Sequence, residues 1–360
     1  MDEFSHSGPS HLRRIDWDDA YHCRAVVASL VNGVYVMERD RQRGRQGSQA
    51  LAPPWWEFFH FQLCHVLVDE VDSTIFGAVY KFVLPDRARN APAYVIALRG
   101  VMLTPATSAC DSKLVAMCVS NMLHRGSRFK SALGVVEHLL HSVRAPNVWL
   151  AGYALGAAIL VLVGKKMARK NFALKTYLFN PPFMTVPLGR IKYRNLRDKL
   201  MTLARLLKAA TAGALNPPKN EPLVHDKFEV LACWEPNLFV NPEDDLCSGY
   251  IGYFELRTLM ELIGAGKVEM IAMQNSLINL ARRDSDAESI DTLPTACLTT
   301  NLCPSPDFKL AHGIEQWWDN RTQCRSVLHR FLPKERKFEM IEMPPRHTQQ
   351  GRGRKVVAKL

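Results

Sequence analysis

The sequence predicts an α/β fold with a mostly parallel central sheet and helices on both faces. Three observations carry that expectation. Between residues 94 and 179, apolar runs of strand length alternate with stretches of helical period. Strands alternating with helices in this way imply parallel strands covered on both sides. The run Val148–Gly164 passes from strand-type residues through a glycine-containing turn into a small-residue apolar stretch, as a buried strand feeding a buried helix does. Apolar residues make up 47% of the 360 and charged residues 22%, enough for a sizeable core and too apolar for a disordered or collagen-like chain.

Taken in order, residues 1–20 are polar and acidic, and residues 1–16 are expected to be disordered. They lack the basic region, apolar run and small-residue cleavage site of a signal peptide. From Glu38 through Arg45 to Pro53-Pro54 there is no periodicity, which predicts a surface loop. "HVLVDEV" from His65 and "STIFGAVYKFV" from Ser73 read as strands around a turn and are closed by Pro85-Asp86. Tyr94–Leu98 is a short strand ending at Arg99-Gly100. Helical stretches follow at Ser112–Leu123 and Arg128–Val143, the second with Leu133, Val136, Leu139 and Leu140 at helical spacing. Next come a strand at Val148–Ala151, a helix at Leu155–Lys170 and a strand at Thr176–Phe179. A polar, basic insertion then occupies 187–222. "FEVLAC" and "NLFVNP" look like strand material, Tyr253–Ile263 looks helical, and Asp284–Leu293 looks like a loop. The expected layout is one domain over 17–333 and a basic, disordered tail over 334–360, where eight basic residues meet three acids.

Lys plus Arg number 46 against 35 Asp plus Glu, a net charge of +11. Such an excess admits nucleic acid or an anionic membrane as partners. Its placement narrows the choice: Lys165 to Lys208 holds twelve basic residues and one acid, Asp198. No nucleic-acid motif and no interleaved aromatic and basic pattern accompanies it, so nucleic acid is not expected. The longest uncharged apolar run has 17 residues including three glycines, short for a membrane-spanning helix of about 20. Nine scattered cysteines without a C-x-x-C pair fit reduced thiols in a cytoplasmic protein better than a disulfide scaffold or a zinc site. His60, His65, His138 and His141 have no ligand-spaced partners, so no metal is expected. Gly264-Ala265-Gly266-Lys267 resembles a phosphate loop only faintly, with Val268 where Ser or Thr belongs, and no cofactor is expected. The pairs Trp55-Trp56 and Trp317-Trp318 are expected to pack in the core.

The informative segment is Val148-Trp149-Leu150-Ala151-Gly152-Tyr153-Ala154-Leu155-Gly156-Ala157-Ala158. Glycines two residues either side of a central position, between a buried strand and a small-residue helix start, make the layout of a nucleophile elbow. The central residue is Ala154, whose methyl group cannot attack an acyl carbon. On "AYVIALRG", "LHRGSRFKSAL", "NVWLAGYALGAA", "YLFNPPF", "LFVNPEDD", "GYIGYFELR" and "PSPDFKLAHGIEQWW", the chain from about Asp16 to Arg330 resembles the lipase class 3-like α/β hydrolases. The resemblance is to a plant branch often labelled GDSL esterase/lipase-like, although a GDSL block is lacking. Members of that family usually read G-H-S-L-G at the elbow and have threonine after the Arg-Gly of the preceding strand. Here Tyr153, Ala154 and Val101 depart from the pattern.

The resemblance implies an α/β-hydrolase fold and a lipid or acyl-ester ligand. It places Ala154 at the nucleophile position, Asp244 or its neighbour Asp245 at the acid position and His312 at the base. An oxyanion hole would come from the backbone N–H groups of Leu155 and the Val101 region, with Gly152 and Gly156 as elbow scaffold. Two functions follow as expectations. The first is a catalytically impaired relative that binds a ligand or regulates. The second is an active hydrolase that recruits another nucleophile, Cys247 or Ser248 from the acid loop; Tyr153 adjoins the elbow tip but is expected to point the wrong way, and a phenol's ordinary pKa is about 10. The basic insertion places Leu196, Leu200, Leu203 and Leu207 on one helical face, with Arg197, Lys199 and Arg205 mostly away from it. Such a helix serves as a lid, a peripheral contact with an anionic membrane, or a packed surface helix. The sequence sets no oligomeric state.

Overall fold

The computed structural model describes residues 8–344 apart from 10, 52–54, 85–89, 103, 105–106, 185–228, 263–288, 304, 306 and 336, together with 354–355. The basic insertion, with Arg197, Lys199 and Arg205, and the glycine-rich segment 264–267 lie outside the described residues. Ten strands form one sheet: β1 Phe61–Val68, β2 Ile75–Phe82, β3 Tyr94–Leu98, β4 Val148–Tyr153, β5 Lys175–Phe179, β6 Asn237–Val240, β7 Ala296–Asn301, β8 Cys324–Leu332, β9 Lys337–Glu342 and β10 Arg354–Lys355. Their spatial order is their chain order. The central five, β3 to β7, pair in parallel, and the pairs on either flank are antiparallel. The parallel centre is what the alternating pattern of residues 94–179 predicts.

Helices cover both faces, and the strands sort their side chains between them with period two. Val148 and Leu150 of β4 join the core beneath α2 (Ser108–Val119), α3 (Ser127–Leu140) and α4 (Leu155–Arg169). Trp149, Ala151 and Tyr153 face the other way, into a core built on α1 (Ala20–Gln42). Two further helices, α5 (Gly249–Leu262) and α6 (Phe308–His312), flank the late strands. No helix among the described residues is long and apolar enough to cross a membrane.

Several elements differ from the sequence reading. Helix α1 has no counterpart in the periodicity because Ala25–Val31 are all buried, so no single apolar stripe stands out. Asp19 caps it by accepting from the N–H groups of Tyr21 and His22. It runs on through the first part of the expected loop, to Gln42. Buried Glu38 accepts from Arg41, Gln42 and the N–H of Ile75, which fixes a turn of high charge as helix. Part of the supposedly disordered N-terminus is packed: Leu12 is buried beside Trp17 and Tyr21. Residues 229–233, expected as strand, form helical turns. The tail continues the sheet as β9, where Phe338 pairs with Phe331 of β8, and Arg257 lies 4.0 Å over the Phe338 ring. These contacts join residues far apart in sequence, which a composition argument does not see.

Candidate active site

The elbow is built by backbone crowding. β4 ends at Tyr153, α4 begins at Leu155, and Ala154 turns the chain with φ 48° and ψ −118°. Positive φ is strained for any residue with a Cβ. A Cβ on Gly152 would come 2.7 Å from the Gly156 backbone, and one on Gly156 would come 2.5 Å from the carbonyl oxygens of Leu98 and Arg99. Both positions therefore require glycine. The Ala154 N–H donates to the Phe179 carbonyl at 2.9 Å, which pins the turn to β5.

Behind this tip, the loop after β6 carries Asp244, fully buried. Its carboxylate accepts from His312 Nδ1 at 2.9 Å, Asn180 Nδ2 at 2.7 Å, the Leu246 N–H at 3.1 Å and Cys247 Sγ at 3.2 Å. Burial alone would push this carboxyl up, but the bond from His312, with its charge and the bonds from Asn180 and Cys247, holds it below the usual carboxylate range. Asp245 is exposed and makes no such contact among the described residues. Cys247 is buried, and burial together with the Asp244 charge pushes its thiol well up, so it is not a thiolate.

His312 is held by a frame of side-chain amides. Gln316 Nε2 donates to the carbonyls of Ala311 and Gly313, at 2.7 Å each, which brackets His312. Its Oε1 accepts from Asn241 at the end of β6 and Asn301 at the end of β7. Asn180, with φ 45°, donates to both Asp244 and the Ala311 carbonyl and accepts from Trp317 Nε1 at 2.7 Å. Trp317 and Trp318 are core residues, as are Trp56 and Phe59, while Phe58 is exposed.

Ala154, Leu155, Val101 and His312 line one cavity of about 510 Å³. The His312 side chain is 21% exposed there and stacks on Phe308 with ring centroids 5.3 Å apart. Tyr153 also lines this cavity, contrary to the expectation that it points elsewhere, but its hydroxyl donates to the His312 carbonyl at 2.5 Å. Burial pushes its phenol up. One wall belongs to α1, whose Asn32, Tyr35 and Arg39 recur at helical spacing on the cavity face. The sequence gives no signal for these three, since α1 itself is hidden in it.

The strand-to-loop turn at Gly100 is supported from below. The Met102 N–H donates to Asp111 Oδ2 at 2.7 Å, and Arg99 Nη1 donates to the Gly100 carbonyl at 2.7 Å. Asp111 in turn accepts from Arg128 at 2.9 Å. Among the described residues, Asp69, Asp72 and Cys110 bring metal-type donors together. Arg128 claims that cluster, donating from Nε to Asp69 at 2.7 Å and from Nη2 to Thr74 at 3.2 Å.

No family model and no solved structure matches the chain. Among curated proteins, a GDSL esterase/lipase of Arabidopsis thaliana is 40% identical over 341 residues, covering 90% of this chain and 97% of that protein. Identity at that level over nearly the whole of both chains accompanies a sheet, an elbow and a buried Asp–His pair of the kind α/β hydrolases use, and the chain belongs to the GDSL esterase/lipase-like family of the α/β-hydrolase superfamily.

Proposed function

We propose that this chain is a member of the lipase/esterase lineage, in its class 3-like branch, whose hydrolytic step is impaired and which acts by binding an acyl ligand. The observation that carries the reading is Ala154 at the tip of a strained elbow, beside an open cavity into which His312 projects. In an acyl-transfer site, a serine oxygen attacks the acyl carbon while the imidazole takes its proton and the carboxylate holds the imidazole tautomer. His312 and Asp244 would supply the second and third of these parts, and the Leu155 N–H at the start of α4 would donate to an oxyanion. The nucleophile is missing. Loss of a triad serine lowers kcat by about 10⁶ in the best-studied case. The neighbours do not replace it: the Cys247 thiol is buried against Asp244, the Tyr153 hydroxyl is committed to the His312 carbonyl, and Ser248 is not among the residues lining the cavity.

Ala154→Ser tests the proposal. With the rest of the site in place, the variant is expected to hydrolyse p-nitrophenyl esters at least about 10³-fold faster than the parent. It is also expected to label with a fluorophosphonate in a His312-dependent way. Labelling of the parent chain that is lost in His312→Ala would favour an active hydrolase with a substitute nucleophile and would sink the impaired reading.

A further inference from the structure

The sheet ends on one side in a strand with a free edge. β1 pairs with β2 along one edge, and no strand pairs with its other edge among the described residues. Soluble proteins ordinarily blunt such an edge with charge or proline, because its outward N–H and C=O groups are a template for another strand. Phe61–Val68 contains no Lys, Arg, Asp, Glu or Pro over its eight residues, and Gln62, Cys64, His65 and Val68 are exposed. Its register with β2 shifts twice, between Leu63 and His65 and between Leu67 and Val68. The first shift leaves Cys64 without an opposite residue in β2, as a bulge does. Apolar side chains beyond each end are also uncovered. Phe58 is 53% exposed before the start, where Val83 stands exposed beside it and donates its N–H to the His60 carbonyl. Val71, just past the end, is 66% exposed.

We propose that β1 is a dimerisation edge, pairing antiparallel with β1 of a second copy of this chain about a two-fold axis at Cys64. The strand is self-complementary about that point. The bulge divides it into Phe61–Leu63 and His65–Leu67, three residues on each side. An axis there sets the first run of one copy against the second run of the other. A two-fold contact uses the same surface twice and closes on itself, so the edge is capped and builds no fibre. The antiparallel sense also brings the apolar flanks together: Phe58, six positions before the axis, meets the span between Val68 and Val71, four and seven positions after it. Charge favours the same sense. Exposed Lys81 is paired with Gln62 near the start of β1, and exposed Glu70 follows its end. Antiparallel copies bring these opposite signs to the same side, whereas parallel copies would set like against like. Exposed Glu57, at the start, is the nearby charge that opposes the arrangement. A foreign strand would meet the main chain equally well; the matched runs and flanks on either side of Cys64 are what single out a second copy. No residue of β1 lines the elbow cavity, so pairing leaves that cavity open whatever it binds.

Sedimentation velocity on the full chain measures the association, and a concentration-dependent dimer is expected. Residues directly opposite in an antiparallel pair have Cβ atoms about 5 Å apart. A short bis-maleimide is therefore expected to join Cys64 to Cys64 across the axis, and the joined dimer is expected to vanish in Cys64→Ser. Cys233 and Cys303 are also exposed, so that variant still carries thiols the reagent can reach. Cys64→Lys sets two like charges against each other at the axis. It is expected to weaken the dimer about fivefold or more, with circular dichroism unchanged because the side chain is exposed. Val68→Lys, at the exposed end of the strand, is the second variant should the first fold poorly, and a weaker dimer is again expected. A chain that stays monomeric at every concentration would overturn the proposal. So would a dimer left intact by both lysine variants, or a crosslinked dimer undiminished in Cys64→Ser, since either places the contact on another surface.

Discussion

At Ala154 the backbone holds a conformation that an L side chain adopts only under constraint, with φ 48°. Strain of this kind costs about 1–3 kcal/mol and is ordinarily kept because a reactive side chain must stand proud of the sheet. Here the side chain is a methyl. Ala154→Gly is therefore expected to raise the unfolding free energy by about 1 kcal/mol, the relief of strain exceeding glycine's greater freedom in the unfolded chain. Urea denaturation measures it, and a loss of stability would show that the elbow is relaxed. The elbow was legible in the sequence because its glycines are dictated by near neighbours at fixed spacing. Asn180, Gln316 and Tyr35 were not legible as site residues. Their roles depend on partners 64, 75 and 66 positions away, and nothing local marks an amide or a phenol as belonging to a site.

Among the elements, the turn between β1 and β2 is locked to α2 and α3 by one buried guanidinium. Arg128 reaches Asp69, Thr74 and Asp111, and Asp111 carries the Met102 N–H beside the candidate oxyanion position. Burial alone would push the Asp69 carboxyl up, but bonds from Arg128, Ser127 and the Val71 N–H hold it below its ordinary value. A carboxyl depressed in the folded state contributes stability above its unfolded value of about 3.9, and that contribution is lost as pH falls through the folded value. Asp69→Asn is thus expected to cost about 3 kcal/mol at pH 7, since it leaves Arg128 buried with less compensation. The gap between variant and parent in urea denaturation should narrow below about pH 4; a gap that widens on acidification would contradict the assignment. The strands from β2 to β6 and helices α3 and α4 were legible because each carries its own periodicity. Helix α1 and strand β9 were not, the first because it is buried on every side over Ala25–Val31 and the second because it reads as a charged tail.

Over the whole molecule the charge of +11 is not a uniform coat. Lys165, which the sequence places among the basic residues ending α4, is buried and donates to the Ser289 carbonyl at 2.6 Å. Lys170 pairs with Glu137, and Lys175 sits 4.0 Å over the Trp149 ring. Much of the excess left over lies in residues 187–222, where Arg197, Lys199 and Arg205 are proposed to meet an anionic membrane surface. Binding to vesicles containing phosphatidylserine is expected to weaken as salt rises and to weaken again when these three are changed to Gln, each charge being worth about 1 kcal/mol near such a surface. Sedimentation with vesicles reads it, and indifference to both changes would end the idea.

The polar wall of the cavity stands on α1, and α1 is fastened by its far end of the chain. Tyr21 donates to the Trp318 carbonyl and Arg24 to the Trp317 carbonyl, across 297 and 293 residues. Each strand of the sheet pairs with its neighbour in sequence, whereas the first helix is held by one of the latest segments. A chain cut short before residue 308 would therefore keep most of its strand pairings yet lose both the fastening of α1 and the Phe308 and His312 wall of the cavity.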